Sequence, residues 1–338
     1  MGADRLNEFE LIARFFVPLA AGEPGAFGLS DDAAAIPLEP GHRMVVTTDT
    51  IVSGVHFVES DPPESVAAKA LAVNLSDLAA MGAKPRAYTL SLALPKDWSS
   101  QETILWLEGF VCRLAWDQRK SEVHLIGGDT VSSPGPMCIT ITALGAVRAG
   151  SELRRSTARP GDLIFVSGSI GDAALGLKYI AGELPDLPLE FGDALVNRYR
   201  FPQARTELGQ QLVGIARGVA DVSDGLVADL EHICVASNVS ATIEASSVPL
   251  SSAARAAIDV NPDLLAVALT GGDDYELVFA VPPASADAIQ AISKTSSTSL
   301  TAIGRVDEPD PKNLGTYAHV LGPNGSPLDL TIHGYQHF

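Results

Sequence analysis

The sequence predicts an α/β protein built from two halves. Segments typical of strands alternate with segments typical of helices along most of the chain, which favours sheets covered by helices. The chain has 338 residues, more than one hydrophobic core usually holds and enough for two domains. Residues 147–162 interrupt the alternation with a stretch rich in Arg, Ser and Gly that has weak periodicity. We therefore place the domain boundary near residue 150, with domains at 1–149 and 150–338.

The first domain begins with a helical pattern, because apolar residues recur at helical spacing in residues 5–20. Ser99 and Glu102 have the spacing of a capping box and predict a helix that runs to about Asp117. Alternating apolar residues predict a strand with one buried face at 87–95. The remaining predicted elements are, in order, a strand at 44–48, a helix at 62–83, and strands at 123–128 and 137–147.

The second domain resumes the alternation of strands and helices. A strand at 163–168 is followed, after a Gly-containing turn, by a helix at 170–182. No repeat by identity relates the two domains. The later predicted elements are a helical stretch at 204–213, a strand at 218–222, a helix at 226–237, a strand at 241–245, a strand at 275–283, a helix at 285–295 and a strand at 300–306.

The charge of the chain restricts its partners. Asp and Glu number 41 against 23 Lys and Arg, which gives a formal net charge of −18. Nucleic-acid binding needs a basic surface, so we expect no nucleic-acid partner. An anionic substrate would meet net repulsion unless cations intervene.

Several features predict a cytoplasmic protein without a membrane partner. No segment approaches the ~18 uninterrupted apolar residues of a membrane span, and the N-terminal residues lack a signal-peptide pattern. The cysteines are few and widely spaced, which is typical of reduced thiols. We expect Cys112, Cys138 and Cys234 to be small buried side chains.

Aspartates recur at separated points that precede or follow predicted elements. We expect Asp49 and Asp129 at the ends of strands, and Asp221 and Asp224 between a strand and a helix. Taken singly, each is more typical of a turn or a helix N-cap than of a metal ligand. Asp77 differs, because it lies within an apolar helix where an unpaired buried carboxylate is unfavourable without a cation.

Together these aspartates predict a magnesium cluster. Mg²⁺ prefers oxygen ligands and is usually held by carboxylates together with substrate phosphates. The sequence has no HExxH, no CxxC and no cluster of histidines, which argues against zinc. It also lacks a P-loop, a dinucleotide fingerprint and a GxSxG nucleophile motif.

The motifs, in their order along the chain, resemble those of the thiamine-monophosphate kinase family, within the superfamily of aminoimidazole ribonucleotide and selenophosphate synthetases. The motifs that carry the resemblance are SDDAAAI, TTDTIVSGVHF, KALAVNLSDLAAMGAKP, IGGDT, ADVSDGLVADL and GGDDYELVF. The resemblance implies a synthetase-like α/β (α+β) fold. Its N-terminal mixed sheet and helices would form a dimer barrel with a second copy, and its C-terminal α/β domain would complete a substrate cleft.

The implied activity is the ATP-dependent phosphorylation of thiamine monophosphate to thiamine diphosphate, the final step of thiamine diphosphate synthesis. ATP would be the co-substrate, and several Mg²⁺ ions would be cofactors. Because the acceptor is already a phosphate, we assign no general base and expect direct in-line transfer. In this mechanism, magnesium held by Asp49 and Asp129 would bind the ATP phosphates.

The resemblance also implies roles for individual residues. The expected magnesium ligands are Asp32, Thr47, Thr48, Asp49, Asp77, Asp129, Asp221 and Asp224. The expected ATP contacts are Gly128, Asp129, Arg155 and Ser223. The expected substrate-binding positions are His56, Asp273 and Ile332.

The chain departs from the family pattern at three positions. Ser30 stands where the family's loop usually has a second Gly, and Asp273 stands where a Glu is common. Ile332 replaces a Trp that packs on the substrate's rings, a role that Tyr335 could take over.

Other functions remain open at this point. A synthetase of the same superfamily would activate an amide or a selenide. Selenophosphate synthetases are expected to have a reactive Cys or selenocysteine near the N-terminus, whereas the first cysteine of this chain is Cys112. A hydrogenase-maturation relative should end in Cys rather than Phe338. A non-catalytic scaffold that binds divalent cations would gain stability from magnesium but would not turn over ATP.

Overall fold

The chain forms two compact units, each with its own sheet. The first contains the described residues up to Leu78 together with Ala83–Ala149, and the second contains Ala79–Gly82 and the described residues from Gly150 onward. The computed structural model describes residues 8–296, 298–309, 317–322, 324–328, 330, 334 and 335.

The first sheet has four strands in the order β1-β4-β2-β3. Strand β4 is antiparallel to β1 and β2, whereas β3 is parallel to β2. The strands are β1 (His42–Val52), β2 (Lys84–Pro95), β3 (His124–Ser133) and β4 (Cys138–Arg148). The helices are α1 (Glu8–Leu11), α2 (Val17–Ala20), α3 (Pro63–Ala80) and α4 (Ser100–Ser121), with a π-helical turn at Ile12–Phe16 and a 3₁₀ segment at Pro24–Leu29.

Local signals account for these elements. The Ser99 Oγ atom accepts a hydrogen bond from the Glu102 amide at 3.2 Å, and a Glu102 carboxylate oxygen accepts one from the Ser99 amide at 2.8 Å. The predicted capping box is therefore confirmed, and α4 extends beyond Asp117 to Ser121. In β2, Tyr88 and Leu92 are buried on the predicted face, which packs into the core.

The second sheet has six strands in the order β10-β7-β9-β5-β8-β6. Strands β10 and β7 are parallel, and the other pairs are antiparallel. The strands are β5 (Leu163–Ser167), β6 (Val219–Asp221), β7 (Ser240–Glu244), β8 (Leu277–Val281), β9 (Leu300–Asp307) and β10 (Ala318–Leu321). The helices are α5 (Asp172–Ile180), α6 (Leu189–Arg200), α7 (Thr206–Leu212), α8 (Leu226–Ser237), α9 (Ser252–Val260), α10 (Leu264–Thr270) and α11 (Ala286–Thr295).

An apolar core joins the second sheet to α8. Ile164 and Val166 of β5 pack in one cluster with Leu226, Leu230 and Ile233 of α8, and all five are buried. Burying such side chains contributes about 1.5–3 kcal/mol each relative to leaving them in water. This packing fixes the start of α8, and with it the turn that precedes the helix.

Two expectations from the sequence are wrong. Asp49 and Asp129 lie within β1 and β3 rather than at strand ends, because both strands continue for several residues past them. Of the three cysteines only Cys234 is buried, and burial raises the pKa of its thiol to about 12. Cys112 is exposed on α4, and Cys138 is half-buried at the start of β4.

Among the described residues, none of the helices combines the length and the apolar character that a membrane crossing requires.

Candidate functional site

Strand β1 and helix α3 bring oxygen-bearing side chains together. Thr47 and Asp49 lie on the same face of β1, because side chains alternate along a strand. The Thr47 hydroxyl donates to an Asp77 carboxylate oxygen at 2.5 Å, and the Asp49 amide donates to the side-chain oxygen of Asn74 at 3.1 Å. Asn74 is fully buried and also donates to the Ala70 carbonyl at 3.1 Å, so it fixes β1 against α3.

The structure corrects two details of this group. Asp77 is half-buried rather than fully buried, and it is paired with a hydroxyl rather than unpaired. Thr48 lies on the opposite face of β1, where its hydroxyl donates to the Ile141 carbonyl at 3.2 Å and accepts from Thr142 at 3.0 Å. Its side chain is therefore separated from the group formed by Thr47, Asp49 and Asp77.

A cavity of about 160 Å³ brings together the predicted site residues Asp32, Gly128 and Asp129, and Asp31 also lines it. Its apolar wall includes Phe16 and Leu125. Gly128 comes so close to β2 that an added Cβ atom would lie 1.9 Å from the Leu90 carbonyl oxygen. Only glycine fits there, so β3 can lie this close to β2 while its backbone lines the cavity.

The loop before Asp31 and Asp32 accommodates Ser30, which stands where the family usually has a glycine. Ser30 has an ordinary φ of −103°, whereas the left-handed conformations belong to Phe27, Gly28 and Leu29 just before it. The Ser30 hydroxyl donates to the Phe27 carbonyl at 2.7 Å. Serine therefore adds a local hydrogen bond without backbone strain.

Asp49 and Asp129 lie on opposite edges of the first sheet. The strand register aligns Asp49 with Ile141, Ile141 with Leu90, and Leu90 with Gly128, the neighbour of Asp129. Three strand spacings separate them, which is about 14 Å along the sheet. Because magnesium–oxygen bonds are only about 2.0–2.1 Å long, Asp49 and Asp129 of one chain lie too far apart to hold the same magnesium ion.

In the second unit, a buried carboxylate holds the turn between β6 and α8. One oxygen of Asp229 accepts hydrogen bonds from the amides of Ser223, Asp224 and Gly225 at 3.0, 3.0 and 3.1 Å. Burial, and to a smaller extent the nearby carboxylates of Asp221 and Asp224, raise the pKa of Asp229 well above its ordinary value. The turn thus places predicted metal and ATP residues around one desolvated acid.

The segment at residues 271–276 is joined to this turn by backbone hydrogen bonds. The Asp273 amide donates to the Ser223 carbonyl at 2.8 Å, and the Tyr275 amide donates to the Val222 carbonyl at 2.8 Å. Asp273 has a positive φ of 74°, which is strained for a residue other than glycine. The Tyr275 hydroxyl donates to the Asp273 carboxylate at 3.0 Å and orients it. Asp273 is therefore held beside Ser223.

Two further predicted positions adjoin the turn. Arg155 is exposed, its carbonyl accepts from the Ser237 hydroxyl of α8 at 2.7 Å, and its charge partly offsets the raised pKa of Asp229. The Tyr335 amide donates to the Asp224 carbonyl at 3.0 Å, and about half of the tyrosine is exposed. Ile332 lies outside the described residues.

His56 closes the loop that follows β1. Its Nδ1 atom accepts a hydrogen bond from the Val52 amide at 3.0 Å, and its carbonyl accepts from the Lys69 ammonium at 2.7 Å. A neutral imidazole with Nδ1 as acceptor carries its proton on Nε2. The ring can therefore donate a hydrogen bond through Nε2 to a phosphate oxygen.

Sequence reasoning did not identify the residues that support the site. Asp229 could have been found by the argument used for Asp77, because it too is an acid within an apolar helical segment. Glu276 is fully buried and accepts hydrogen bonds from Arg205 at 2.5 and 2.7 Å, from Arg198 at 2.9 Å and from Ser167 at 2.5 Å. Nothing in its local sequence indicates partners that lie 71 to 109 residues away.

Family models match most of the chain. The model of the AIR synthase related protein, N-terminal domain, matches residues 30–147, and that of the AIR synthase related protein, C-terminal domain, matches residues 159–314.

Individual relatives match nearly end to end. The chain is 38% identical to the thiamine-monophosphate kinase of Caulobacter vibrioides over 332 residues, which cover 97% of this chain and 91% of the relative. It is similar to the crystal structure of thiamine-monophosphate kinase from Stenotrophomonas maltophilia, with 39% identity, a TM-score of 0.81, and coverage of 96% of this chain and 98% of that one. It is also similar to AaThiL complexed with AMPPCP and TMP, with 28% identity, a TM-score of 0.74 and full coverage of both chains.

Proposed function

The chain belongs to the thiamine-monophosphate kinase family of AIR synthase related proteins, and from that premise we propose that it transfers the terminal phosphoryl group of ATP to thiamine monophosphate, giving ADP and thiamine diphosphate. A solved relative, AaThiL, is complexed with AMPPCP and TMP. This supports ATP and thiamine monophosphate as the substrates of this chain.

One observation carries the proposal: the group formed by Thr47, Asp49 and Asp77. A hydroxyl and two carboxylates from β1 and α3 are placed together by the hydrogen bonds of Thr47 and Asn74. All of these donors are hard oxygen atoms, which fit Mg²⁺. Asp32 and Asp129 in the cavity, and Asp221 and Asp224 in the second unit, offer the same donor type.

Charge neutralisation on the phosphate oxygens is what magnesium supplies when bound. The chain's own residues bind and orient the two substrates. Gly128 would contact ATP through its backbone in the cavity, and Ser223 would present its hydroxyl from the turn that Asp229 fixes. His56 Nε2 and the Arg155 guanidinium would donate to phosphate oxygens, and Arg155 adds a fixed positive charge.

We propose direct in-line transfer without a phosphorylated protein. The acceptor oxygen belongs to a phosphate, which is already ionised at neutral pH and needs no base to become a nucleophile. A phosphoprotein formed from ATP alone, and able to pass its phosphate to thiamine monophosphate, would contradict this step.

We further propose that the chain acts as a homodimer in the cytoplasm. Strands β1 and β3 are the edges of the first sheet, and they expose the apolar side chains of Val46 and Val131. Pairing of β1 with β3 of a second copy would bring Asp49 of the partner subunit to the edge that carries Asp129. Sedimentation analysis tests this proposal, since Val131→Asp should shift the protein towards monomer and a wild-type monomer would contradict it.

A direct assay tests the activity. The purified protein is incubated with ATP, Mg²⁺ and thiamine monophosphate, and ADP and thiamine diphosphate are separated by chromatography. We expect both products in equal amounts, none with excess EDTA, and none when thiamine replaces its monophosphate. ATP turnover without thiamine diphosphate would indicate another enzyme of the superfamily, and stabilisation by magnesium without turnover would indicate a scaffold.

Matched variants on β1 sharpen the assay. Thr47→Val removes the hydroxyl that pairs with Asp77, so we expect turnover to fall by about tenfold or more. Thr50→Val removes a hydroxyl of the same strand that pairs with the Thr140 hydroxyl, and it serves as the control. Equal effects of the two changes would count against a role for the Thr47 group.

A further inference from the structure

Three side chains at the start of α8 place potential metal ligands close together. One ligand atom each from Asp224, Asp229 and His232 lie within 4.8 Å of one another. Asp229 and His232 are three residues apart on α8 and share a face, while Asp224 belongs to the turn before the helix. Within the part of the chain that the structure describes, this is the only such group of His, Cys, Asp and Glu side chains.

A second, independent feature indicates that something binds there. Only 1% of the Asp229 surface is exposed. Its Oδ1 atom has no hydrogen-bond partner among the described residues. Its Oδ2 atom already accepts three backbone amides, so that half of the carboxylate is satisfied. A buried carboxylate oxygen without a partner is unfavourable, and buried charges in proteins are normally paired or bound to metals.

We propose that Asp229 and His232 join Asp224, one of the predicted magnesium ligands, in binding a transition-metal dication, such as Mn²⁺, at a mixed nitrogen and oxygen site. The Oδ1 atom of Asp229, a carboxylate oxygen of Asp224 and a ring nitrogen of His232 would be the protein ligands, with water completing the shell. Imidazole favours transition metals, and carboxylates also suit Mn²⁺, whereas Mg²⁺ prefers oxygen ligands.

The surroundings suit a cation that comes from solution. Asp221 adds a negative charge near Asp229, and Arg155 opposes it with a positive one. His232 is exposed, so an ion can enter without opening the core. A cation at this point would tie α8 to the turn that carries Ser223, and so would stabilise the conformation of a predicted ATP contact.

The test uses the full-length protein freed of divalent ions with EDTA, with Mn²⁺ alone as the probe and no nucleotide. Free Mn²⁺ is counted by electron paramagnetic resonance during a titration, and the bound ion is examined by electron spin echo modulation. Since the other predicted metal ligands are all oxygen atoms, ¹⁴N coupling from an imidazole would report this site specifically. The inference is therefore tested independently of the proposed kinase activity.

The informative variant is His232→Ala, because this exposed side chain can be removed without disturbing the core. We expect one class of Mn²⁺ sites in the wild type to show ¹⁴N coupling. We expect His232→Ala to abolish that coupling and to weaken that class about tenfold or more. His42→Ala, in the first unit, is the matched control and should change neither quantity.

Asp229→Asn is a second test of the site. The Asn side-chain oxygen can still accept the backbone amides of the turn, but the second carboxylate oxygen, the proposed metal ligand, is lost. It should also abolish the ¹⁴N-coupled class. If that variant does not fold, His232→Ala decides the matter alone. Absence of ¹⁴N coupling in the wild type, or coupling that survives His232→Ala, would overturn the proposal.

Discussion

The acidic groups of the two units differ in how their charges are compensated. In the first unit, Asp77 is half-buried and pairs with a hydroxyl, and Asp129 lines an open cavity. In the second unit, Asp274 and Glu276 are almost fully buried and are held by backbone amides or by arginines. The difference teaches that carboxylates which look alike in the sequence separate into those that can bind cations from solution and those that hold loops in place.

The largest effect on stability should come from Glu276→Gln in the second unit. The change leaves the half-buried Arg205 without its ionised partner and leaves Arg198 with only Asp172, 3.7 Å away, so we expect the free energy of unfolding to fall by about 3–5 kcal/mol. Urea denaturation measures it. Glu108→Gln, which breaks a half-exposed ion pair with Arg14, is the control and should cost less than about 1 kcal/mol. Equal losses would remove the distinction between the two classes of acid.

Asp77→Asn in the first unit should show the opposite behaviour. The amide oxygen can still accept from Thr47, so the protein should stay folded, with a stability change below about 1 kcal/mol. Loss of the charge should lower kcat for thiamine diphosphate formation by about 100-fold, or roughly 2.7 kcal/mol. Steady-state kinetics at low magnesium measure this, and normal turnover there would show that Asp77 is not a ligand.

Gly128→Ala should lower stability by about 2–3 kcal/mol, because its Cβ would meet the Leu90 carbonyl oxygen at 1.9 Å. Gly127→Ala is a matched control on the adjacent residue, where the nearest atom to the new Cβ lies 4.0 Å away. Thermal unfolding of both variants measures the difference. Similar melting temperatures would show that the close approach of β3 to β2 is not restrictive.

The smallest expected effect is a dependence of stability on pH through the second unit. Burial, the largest cause, raises the pKa of Asp274 well above the unfolded value of about 3.9. The folded state then binds more protons than the unfolded state between these two values, so the contribution of Asp274 to stability is lost as the pH rises through its folded pKa. Unfolding in EDTA at a series of increasing pH values above about 4 should show this decline. Asp274→Asn should flatten it, and an unchanged slope would contradict the assignment.

Most of the fold could be predicted from the sequence, because its strands and longer helices have regular apolar patterns. The α/β class and the family resemblance are confirmed. Helices α6, α9 and α10 and strand β10 were not predicted. Residues 189–200 interrupt their apolar residues with a glycine and charged side chains, and the segment of α9 is rich in alanine, which weakens any apolar period. Helix α10 and strand β10 are short, with seven and four residues.

The site was less predictable, because its geometry depends on pairings between distant residues. The sequence indicated which aspartates to examine, and Asp77 was correctly expected within a helix. Alternation along the predicted strand at 44–48 already implies that Thr47 and Thr48 lie on opposite faces. The sequence could not indicate that Asp49 and Asp129 occupy opposite sheet edges, because this depends on the order of the strands in the sheet, which local sequence does not specify. The roles assigned to the site residues stay predictions.

The different environments of the cysteines have a practical consequence. Cys112 is exposed on α4, while Cys234 is buried with a thiol pKa raised to about 12. Thiolates rather than thiols react with maleimides, so a fluorescent maleimide added at neutral pH should couple to Cys112 and spare Cys234. With Cys138 replaced by serine, a dye could thus be attached to the first unit at the natural Cys112 for binding measurements.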